Sequence, residues 1–247
     1  MAGELVAVTP NVWLFPCDDD AEAGRIQPSV GIICSATQTV LVDAGNGPAH
    51  ARRIRAALER IAAPPLSFVI YTHHHPDHVF GAQVFGVPVI AHELGRDLVA
   101  ELATRSWSRQ TLAQRIVDEP ERAVGLTALL RAIGDEEQLA LCVPTLTFSQ
   151  RLRLHVDELT IELQHVGGQH APDSIVVGVP EAGVLFLGDC YYPPPLHLRT
   201  AESALDGAML AALVSERYEW YVEGHNAPHS RAALRAALAQ FERGADG

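Results

Sequence analysis

Basic residues are scarce in this sequence. Only 18 Lys and Arg stand against 30 Asp and Glu, which gives a formal net charge of -12. Phosphate backbones and anionic membrane surfaces repel a protein of this charge, so we expect neither a nucleic-acid partner nor a membrane partner. The four cysteines lie far apart and form no CxxC pair, which is typical of reduced, mostly buried thiols in a cytosolic protein.

Several sequence features of other protein classes are also missing. The N-terminal stretch "MAGELVAVTPNVWLF" has no basic segment and no long apolar run, so we predict no signal peptide, no transmembrane helix and a cytoplasmic location. There is no GxSxG, P-loop or GxGxxG motif, which disfavours serine hydrolases and nucleotide-binding proteins. Without repeats or an obvious linker, 247 residues that are 48% hydrophobic predict one domain over residues 1–247.

Apolar runs and helical periods alternate along the chain. "SVGIIC", "TVLVDAG", "SFVIYT" and "VPVIAH" predict buried strands, and "GPAHARRIRAALERI" predicts a helix that begins with Pro48 in its first turn. After a helical stretch near 95–141, strands return from "TLTFS" to "GVLFLGD", followed by a helix around 203–214, the strand "YEWYVEG" and a last helix. This order predicts a layered α/β protein, with the stretch at 95–141 as a helical insertion.

The stretch "YTHHHPDHVFG" follows a predicted strand and is dense in possible metal ligands. His73 and His75 point to the same side of an extended backbone, and Pro76 keeps His75 extended. Asp77 and His78 can begin the next helix and reach a second point in space. The spacing therefore favours two ligands for one metal and two for another, with zinc, iron or manganese as suitable ions.

Three more candidate ligands stand at predicted strand ends, each behind a glycine. They are His170 in "GGQHAPDS", Asp189 in "FLGDC" and His225 in "VEGHN". Cys190 competes with Asp189 as the ligand from its segment, but a carboxylate can bridge two hard cations. A solvated histidine loop explains any one of these histidines, but it does not explain the ordered set, so we predict a metal site.

The four motifs "THHHPDH", "GGQHAPDS", "FLGDC" and "VEGHN" resemble those of the metallo-β-lactamase superfamily, and the likeness runs from "VGIIC" to the last helix. The resemblance implies a four-layer αβ/βα sandwich with the metals in a groove at the edge of two packed sheets. It implies two Zn²⁺ ions, with His73, His75 and His170 on the first, Asp77, His78 and His225 on the second, and Asp189 bridging both.

The resemblance divides between two branches of the superfamily. "QHAPDSIVVGVPEAGVLFLGD" is similar to the true β-lactamases, which typically carry a cysteine where Asp189 stands. The full set of seven ligands is instead similar to glyoxalase-II-type thioesterases and lactonases. Lactonases of the superfamily place a substrate-facing tyrosine where Tyr192 stands, so this hydroxyl could donate to an oxyanion or could simply pack under the proline-rich loop.

The implied reaction is hydrolysis of an ester, lactone, thioester or lactam carbonyl. The attacking hydroxide would be activated by two metal ions that lie about 3.5–4 Å from each other. We predict a small-molecule substrate, with Asp77, Asp189 and Tyr192 as catalytic residues. An iron-dependent oxidoreductase similar to persulfide dioxygenases, or a non-catalytic metal-binding protein, are the alternatives. The sequence does not decide the oligomeric state; a homodimer is one option.

Other nearby side chains allow two readings each. Asp43 could orient a ligand histidine or could only form a turn, and Arg199 could meet a substrate carboxylate or face solvent. The helical insertion could form an apolar wall over the groove or could pack on the sandwich. His74, between two ligand positions, is expected to point away from the metals.

Overall fold

Two β-sheets lie face to face, with helices on their outer faces. The computed structural model describes residues 5–18, 27–134 and 139–245. Ile70, Ile161 and Phe186 belong to a buried cluster contributed by strands of both sheets, and two further buried clusters lie between each sheet and its helices. The arrangement is helix, sheet, sheet, helix, which confirms the predicted four-layer α/β sandwich.

The first sheet has seven strands in chain order, antiparallel up to the fourth strand and parallel beyond it. Its first two strands were not predicted. The edge strand is short and has no buried residue, whereas the second strand is the apolar run Val12–Phe15, which the sequence analysis assigned to no element. The strands are β1 (Val6–Thr9), β2 (Val12–Phe15), β3 (Val30–Cys34), β4 (Thr39–Val42), β5 (Leu66–Ile70), β6 (Val89–His92) and β7 (Leu146–Phe148).

The second sheet has six strands in the order β13-β12-β11-β10-β9-β8. Only the β11–β12 pair is parallel. The strands are β8 (Arg151–Val156), β9 (Leu159–His165), β10 (Ile175–Val179), β11 (Val184–Gly188), β12 (Trp220–Glu223) and β13 (His229–Ser230).

Seven α-helices complete the described part of the chain, and none of them is long and apolar enough to cross a bilayer. The helix expected around 203–214 begins only at Gly207, because the side chain of Asp206 accepts a hydrogen bond from the Met209 amide and caps it there. The helices are α1 (Pro48–Arg60), α2 (Pro76–Val79), α3 (Glu93–Ala103), α4 (Arg109–Asp118), α5 (Ala123–Ile133), α6 (Gly207–Leu213) and α7 (Arg231–Ala245).

The predicted helical insertion is the connection between β6 and β7, and it contains α3, α4 and α5. Trp107 and Leu112 are buried in the cluster under the first sheet, and the Trp107 ring lies 4.8 Å from the ring of Phe80. Of the two readings given above, these contacts favour an insertion that packs on the sandwich.

Leu112→Ala should lower the free energy of unfolding by about 2–5 kcal/mol, because it removes a fully buried side chain from this cluster. Val117→Ala, on the same helix but 74% exposed, should change it by less than about 0.5 kcal/mol. Urea unfolding of both variants measures the difference. Equal, small effects would mean that the insertion is not part of the folded core.

Candidate metal centre

The predicted ligands lie where strands of both sheets end. Residues 73–78 follow β5, His170 lies between β9 and β10, Asp189 follows β11 and His225 follows β12. A backbone hydrogen bond of 2.8 Å from the Ile175 amide to the Thr72 carbonyl joins the start of β10 to the end of β5. The two sheets are therefore tied together at the edge that carries the ligands.

Two glycines allow the ligand-bearing loops to approach one another. Gly188 has a φ of 55°, a left-handed conformation that allows the turn expected before Asp189. Gly224 serves a different purpose, because a Cβ at this position would lie 2.0 Å from Asp189 Oδ1. The glycine before His225 is thus required for space.

Three histidine nitrogens form what we call the first ligand group. His73 Nε2 lies 3.0 Å from His75 Nδ1, which in turn lies 3.0 Å from His170 Nε2. Uncharged imidazoles cannot satisfy one another in such a triangle, because each ring carries a single N–H. A cation at the centre would accept all three lone pairs.

The second ligand group consists of Asp77, His78 and His225. Asp77 Oδ2 lies 3.2 Å from His225 Nε2 and 3.5 Å from His78 Nε2. The two groups meet at Asp189, whose Oδ2 lies 3.3 Å from His225 Nε2 and 3.5 Å from both His78 Nε2 and His170 Nε2. One carboxylate oxygen is therefore within reach of both groups.

The residues of the two groups fit a pair of bound cations. His78 Nε2 and Asp189 Oδ1 are buried and have no hydrogen-bond partner among the described residues, although buried polar atoms are nearly always paired. Imidazole nitrogens and carboxylate oxygens are donors that zinc, iron and manganese accept. The structure brings all seven predicted ligands together; their role in binding metal, and the identity and number of the ions, stay predictions.

Hydrogen bonds behind the ligands fix the orientation of their rings. Asp43 Oδ2 accepts from His78 Nδ1 at 2.7 Å, and the Thr72 hydroxyl accepts from His73 Nδ1 at 3.1 Å. His170 Nδ1 donates to the Pro193 carbonyl at 2.8 Å. Each bond places the proton on Nδ1 and leaves Nε2 free to face the other candidate ligands. We call the space that the two ligand groups and Asp189 enclose the cage.

Asp43 therefore combines the two roles that the sequence left open. Its φ of 68° places it in a tight turn after β4, and its buried carboxylate also orients His78. Its Oδ1 accepts from the Thr72 amide at 2.7 Å, which ties the turn to the start of the histidine stretch.

The remaining candidates lie around the cage. Cys190 is 1% exposed in the apolar cluster behind the second sheet, and burial raises the pKa of its thiol, so Asp189 is the residue of that segment that faces the other ligands. His74 points to Asp173, with 2.7 Å between Nδ1 and Oδ1. Arg199 is exposed and donates from Nε to the Pro194 carbonyl.

Tyr192 lies at the rim of the cage, with its ring centre 6.1 Å from that of His170 and 6.4 Å from that of His225. Its hydroxyl donates to Glu223 Oε2 at 2.7 Å. In this conformation the phenol proton is directed to a protein carboxylate, so donation to an oxyanion would require this bond to break. Its catalytic role stays a prediction.

Sequence reasoning missed Thr72, which bonds to His73, and three further polar residues around the candidate ligands: Asp173, Glu223 and Asn226. Asp173 is buried and pairs with His74, while Glu223 and Asn226 bond to Tyr192. Glu223 and Asn226 flank His225 inside "VEGHN", but no spacing rule links them to Tyr192, which lies more than thirty positions away. Their contacts arise only in the folded chain.

Without a metal, the pKa values of His73 and His75 shift in the opposite direction to those of His78 and His225. Burial lowers the pKa of His73 well below its usual range and that of His75 to about 3, and neighbouring imidazoles add to the effect. Burial opposes the charged form of His78 as well, but Asp77 and other carboxylates outweigh burial and raise its pKa well above the usual value. The pKa of His225 is also raised well above its usual value, because the carboxylates, chiefly that of Asp189, outweigh burial.

His170→Ala should deplete metal from the first ligand group and His225→Ala from the second, each with a loss of about one ion per chain, because a three-residue group that loses a ligand binds its ion weakly. Metal analysis of purified protein measures the content. His155→Ala, which removes an exposed histidine on β8, is the control and should keep the wild-type content. Unchanged content in either ligand variant would contradict the assignment.

Acidification should release metal from the second ligand group before the first. Protons compete with the ion for His78 and His225, whose raised pKa values keep them protonated through neutral pH when no metal is bound. Affinity should therefore rise as these protons are lost at higher pH. Dialysis at about pH 8 and about pH 6, followed by metal analysis, tests the order; release from both groups in parallel would contradict it.

Two curated proteins are similar to part of this chain. The linear primary-alkylsulfatase of a Pseudomonas species is 25% identical over 180 residues, which cover 64% of this chain and 32% of that protein. The alpha subunit of 2,4-dinitroanisole O-demethylase from a Nocardioides species is 33% identical over 112 residues, which cover 38% of this chain and 34% of that subunit. The chain spans about a third of the length of these curated relatives.

Solved structures share the fold. A metallo-beta-lactamase from Pontibacter korlensis matches with a TM-score of 0.65 at 20% identity, covering 97% of this chain and 98% of that one. A stereoselective inverting sec-alkylsulfatase from Pseudomonas sp. matches with a TM-score of 0.65 at 22% identity, covering 96% and 40%. The sequence model described as metallo-beta-lactamase superfamily matches residues 23–206. The chain belongs to the metallo-β-lactamase superfamily, as its motifs predicted.

Proposed function

We propose that this protein is a dinuclear metal-dependent hydrolase that cleaves an ester, lactone, thioester or lactam carbonyl of a small molecule. One observation carries the proposal: Asp189 Oδ2 lies within 3.5 Å of a nitrogen ligand of each group, so a single carboxylate can serve two ions. Two divalent cations held by these residues would supply an activated water nucleophile near neutral pH and would polarise the bond under attack.

The two carboxylates of the cage are suited to different tasks. The Asp189 side chain is 2% exposed and holds the two groups together. The Asp77 side chain is 23% exposed, which gives it contact with solvent. Burial alone would raise the pKa of Asp77, but His78 and His225 hold it at about 2, so this carboxylate is ionised at neutral pH and can accept a hydrogen bond from the attacking water.

The protein's charge narrows the substrate class. A net charge of -12 over the whole chain repels polyanions such as RNA and polyphosphates. At the rim, Tyr192 and the proline-rich segment 193–195 present aromatic and apolar surface. A small neutral or hydrophobic substrate suits this setting.

Hydrolysis of an alkyl sulfate or an aryl methyl ether is the second candidate. The two relatives reported above are a linear primary-alkylsulfatase and an O-demethylase subunit, and both match far less than their full length. Either reaction would use the same ligand cage, so the choice between the candidates depends on the groups that surround it.

A panel of a lactone, a thioester, a β-lactam, a primary alkyl sulfate and an aryl methyl ether tests the proposal on protein with a measured metal content. We expect about two zinc ions per chain and turnover of at least one carbonyl substrate, lost in His225→Ala and kept in His155→Ala. The expected loss is at least about a hundred-fold, because the second cation is then missing.

Other outcomes of this panel and of the metal analysis would favour a different function. Turnover of the sulfate or ether alone would favour the second candidate. One iron per chain with a visible absorption band would favour the iron-dependent oxidoreductase. Full occupancy by two metals with no turnover of any substrate would contradict the hydrolase and favour a non-catalytic metal-binding protein.

A further inference from the structure

Glu223 ends β12, two residues before the ligand His225, and its side chain is 2% exposed. A buried carboxylate is stable only when its oxygens accept hydrogen bonds. Tyr192 donates to Oε2 at 2.7 Å, Asn226 Nδ2 donates to the same oxygen at 2.7 Å, and His229 Nε2 lies 3.3 Å from Oε1.

These partners belong to two different ligand-bearing loops. Tyr192 follows Asp189 after β11, whereas Asn226 follows His225 after β12. Asn226 Nδ2 also donates to the Tyr192 hydroxyl at 2.9 Å, which closes a ring of three side chains. The carboxylate of Glu223 thus joins the two loops.

The ring of contacts ends at the rim of the cage. The Tyr192 ring lies beside one ligand from each group, at 6.1 Å from His170 and 6.4 Å from His225. Asn226 is exposed there and Tyr192 is partly exposed, whereas Glu223 is not. A substrate that entered the cage would therefore meet Tyr192 and Asn226 but not Glu223.

We propose that Glu223 is a positioning residue, which holds Tyr192 and Asn226 in place as one wall of the substrate site. The neighbouring groups of Tyr192, Asn226 and His229 are hydrogen-bond donors, and the two oxygens of a carboxylate can accept from all of them. The inference rests on the proposed hydrolase function for its kinetic part only, since the joining of the two loops is measurable without a substrate.

Glu223→Gln is the sharpest test, because it keeps the shape and replaces one acceptor oxygen with a donor group that faces other donors. In the metal-loaded enzyme we expect KM to rise about ten-fold, with kcat changed less than about three-fold and metal content unchanged. Glu223→Asp keeps both acceptors and should recover part of the loss. Glu162→Gln, which alters a carboxylate paired with Arg153 and Arg217, is the control and should match the wild type.

A double-mutant cycle separates this role from general destabilisation. If Glu223 acts through Tyr192, Glu223→Gln should add less than about two-fold to the KM of Tyr192→Phe. Additive effects, or a fall in kcat with unchanged KM, would overturn the inference.

Hydrogen exchange of the same variant gives a readout without substrate. The backbone amides of residues 190–192, and those of segment 224–229 apart from Pro228, should exchange faster in Glu223→Gln than in the wild type, and those of β9 should not. Unchanged exchange in both segments would overturn the inference even if the enzyme is active. Faster exchange in a protein that hydrolyses nothing would uphold the link between the loops while the proposed function fails.

Discussion

The carboxylate of Asp189 lies between two groups of side chains that have little reason to approach one another without a cation. Five imidazoles and two carboxylates crowd a partly buried space, and two of their atoms have no hydrogen-bond partner among the described residues. Removing such groups from water is unfavourable unless protons or metal ions compensate them. The close approach of the two groups at Asp189 is therefore stable only when protons or cations supply positive charge.

The sandwich supplies the rigidity that the cage requires. The candidate ligands stand on loops after β5, β9, β11 and β12. At that edge the two sheets share a buried core and a hydrogen bond from Ile175 to Thr72. Gly188 and Gly224 let the Asp189 and His225 loops come close. The helical insertion packs on the outer face of the first sheet and adds core there.

Hydrogen bonds on the outer side of the candidate ligands fix which nitrogen of each ring faces the cage. Asp43 and Thr72 hold His78 and His73 by their Nδ1 atoms, so the Nε2 lone pairs face inward. On the other side Glu223 gathers donors from the Asp189 and His225 loops. Buried acceptors thus restrain both the candidate ligands and the Tyr192 side chain beside them.

The sequence alone determined the fold class, most strands and helices, and the candidate ligands. Apolar runs of four to seven residues mark buried strands whatever lies opposite them, and an ordered set such as His73, His75, Asp77 and His78 is a local pattern. The short edge strand β1 and the start of α6 escaped prediction, because an exposed strand has no apolar run and the Asp206 cap competes with helical periodicity. Only the tertiary structure decided that Asp189 faces both groups, that Cys190 turns into the core, and that Glu223 reaches Tyr192. These facts depend on distances between residues far apart in the chain, which no local pattern encodes.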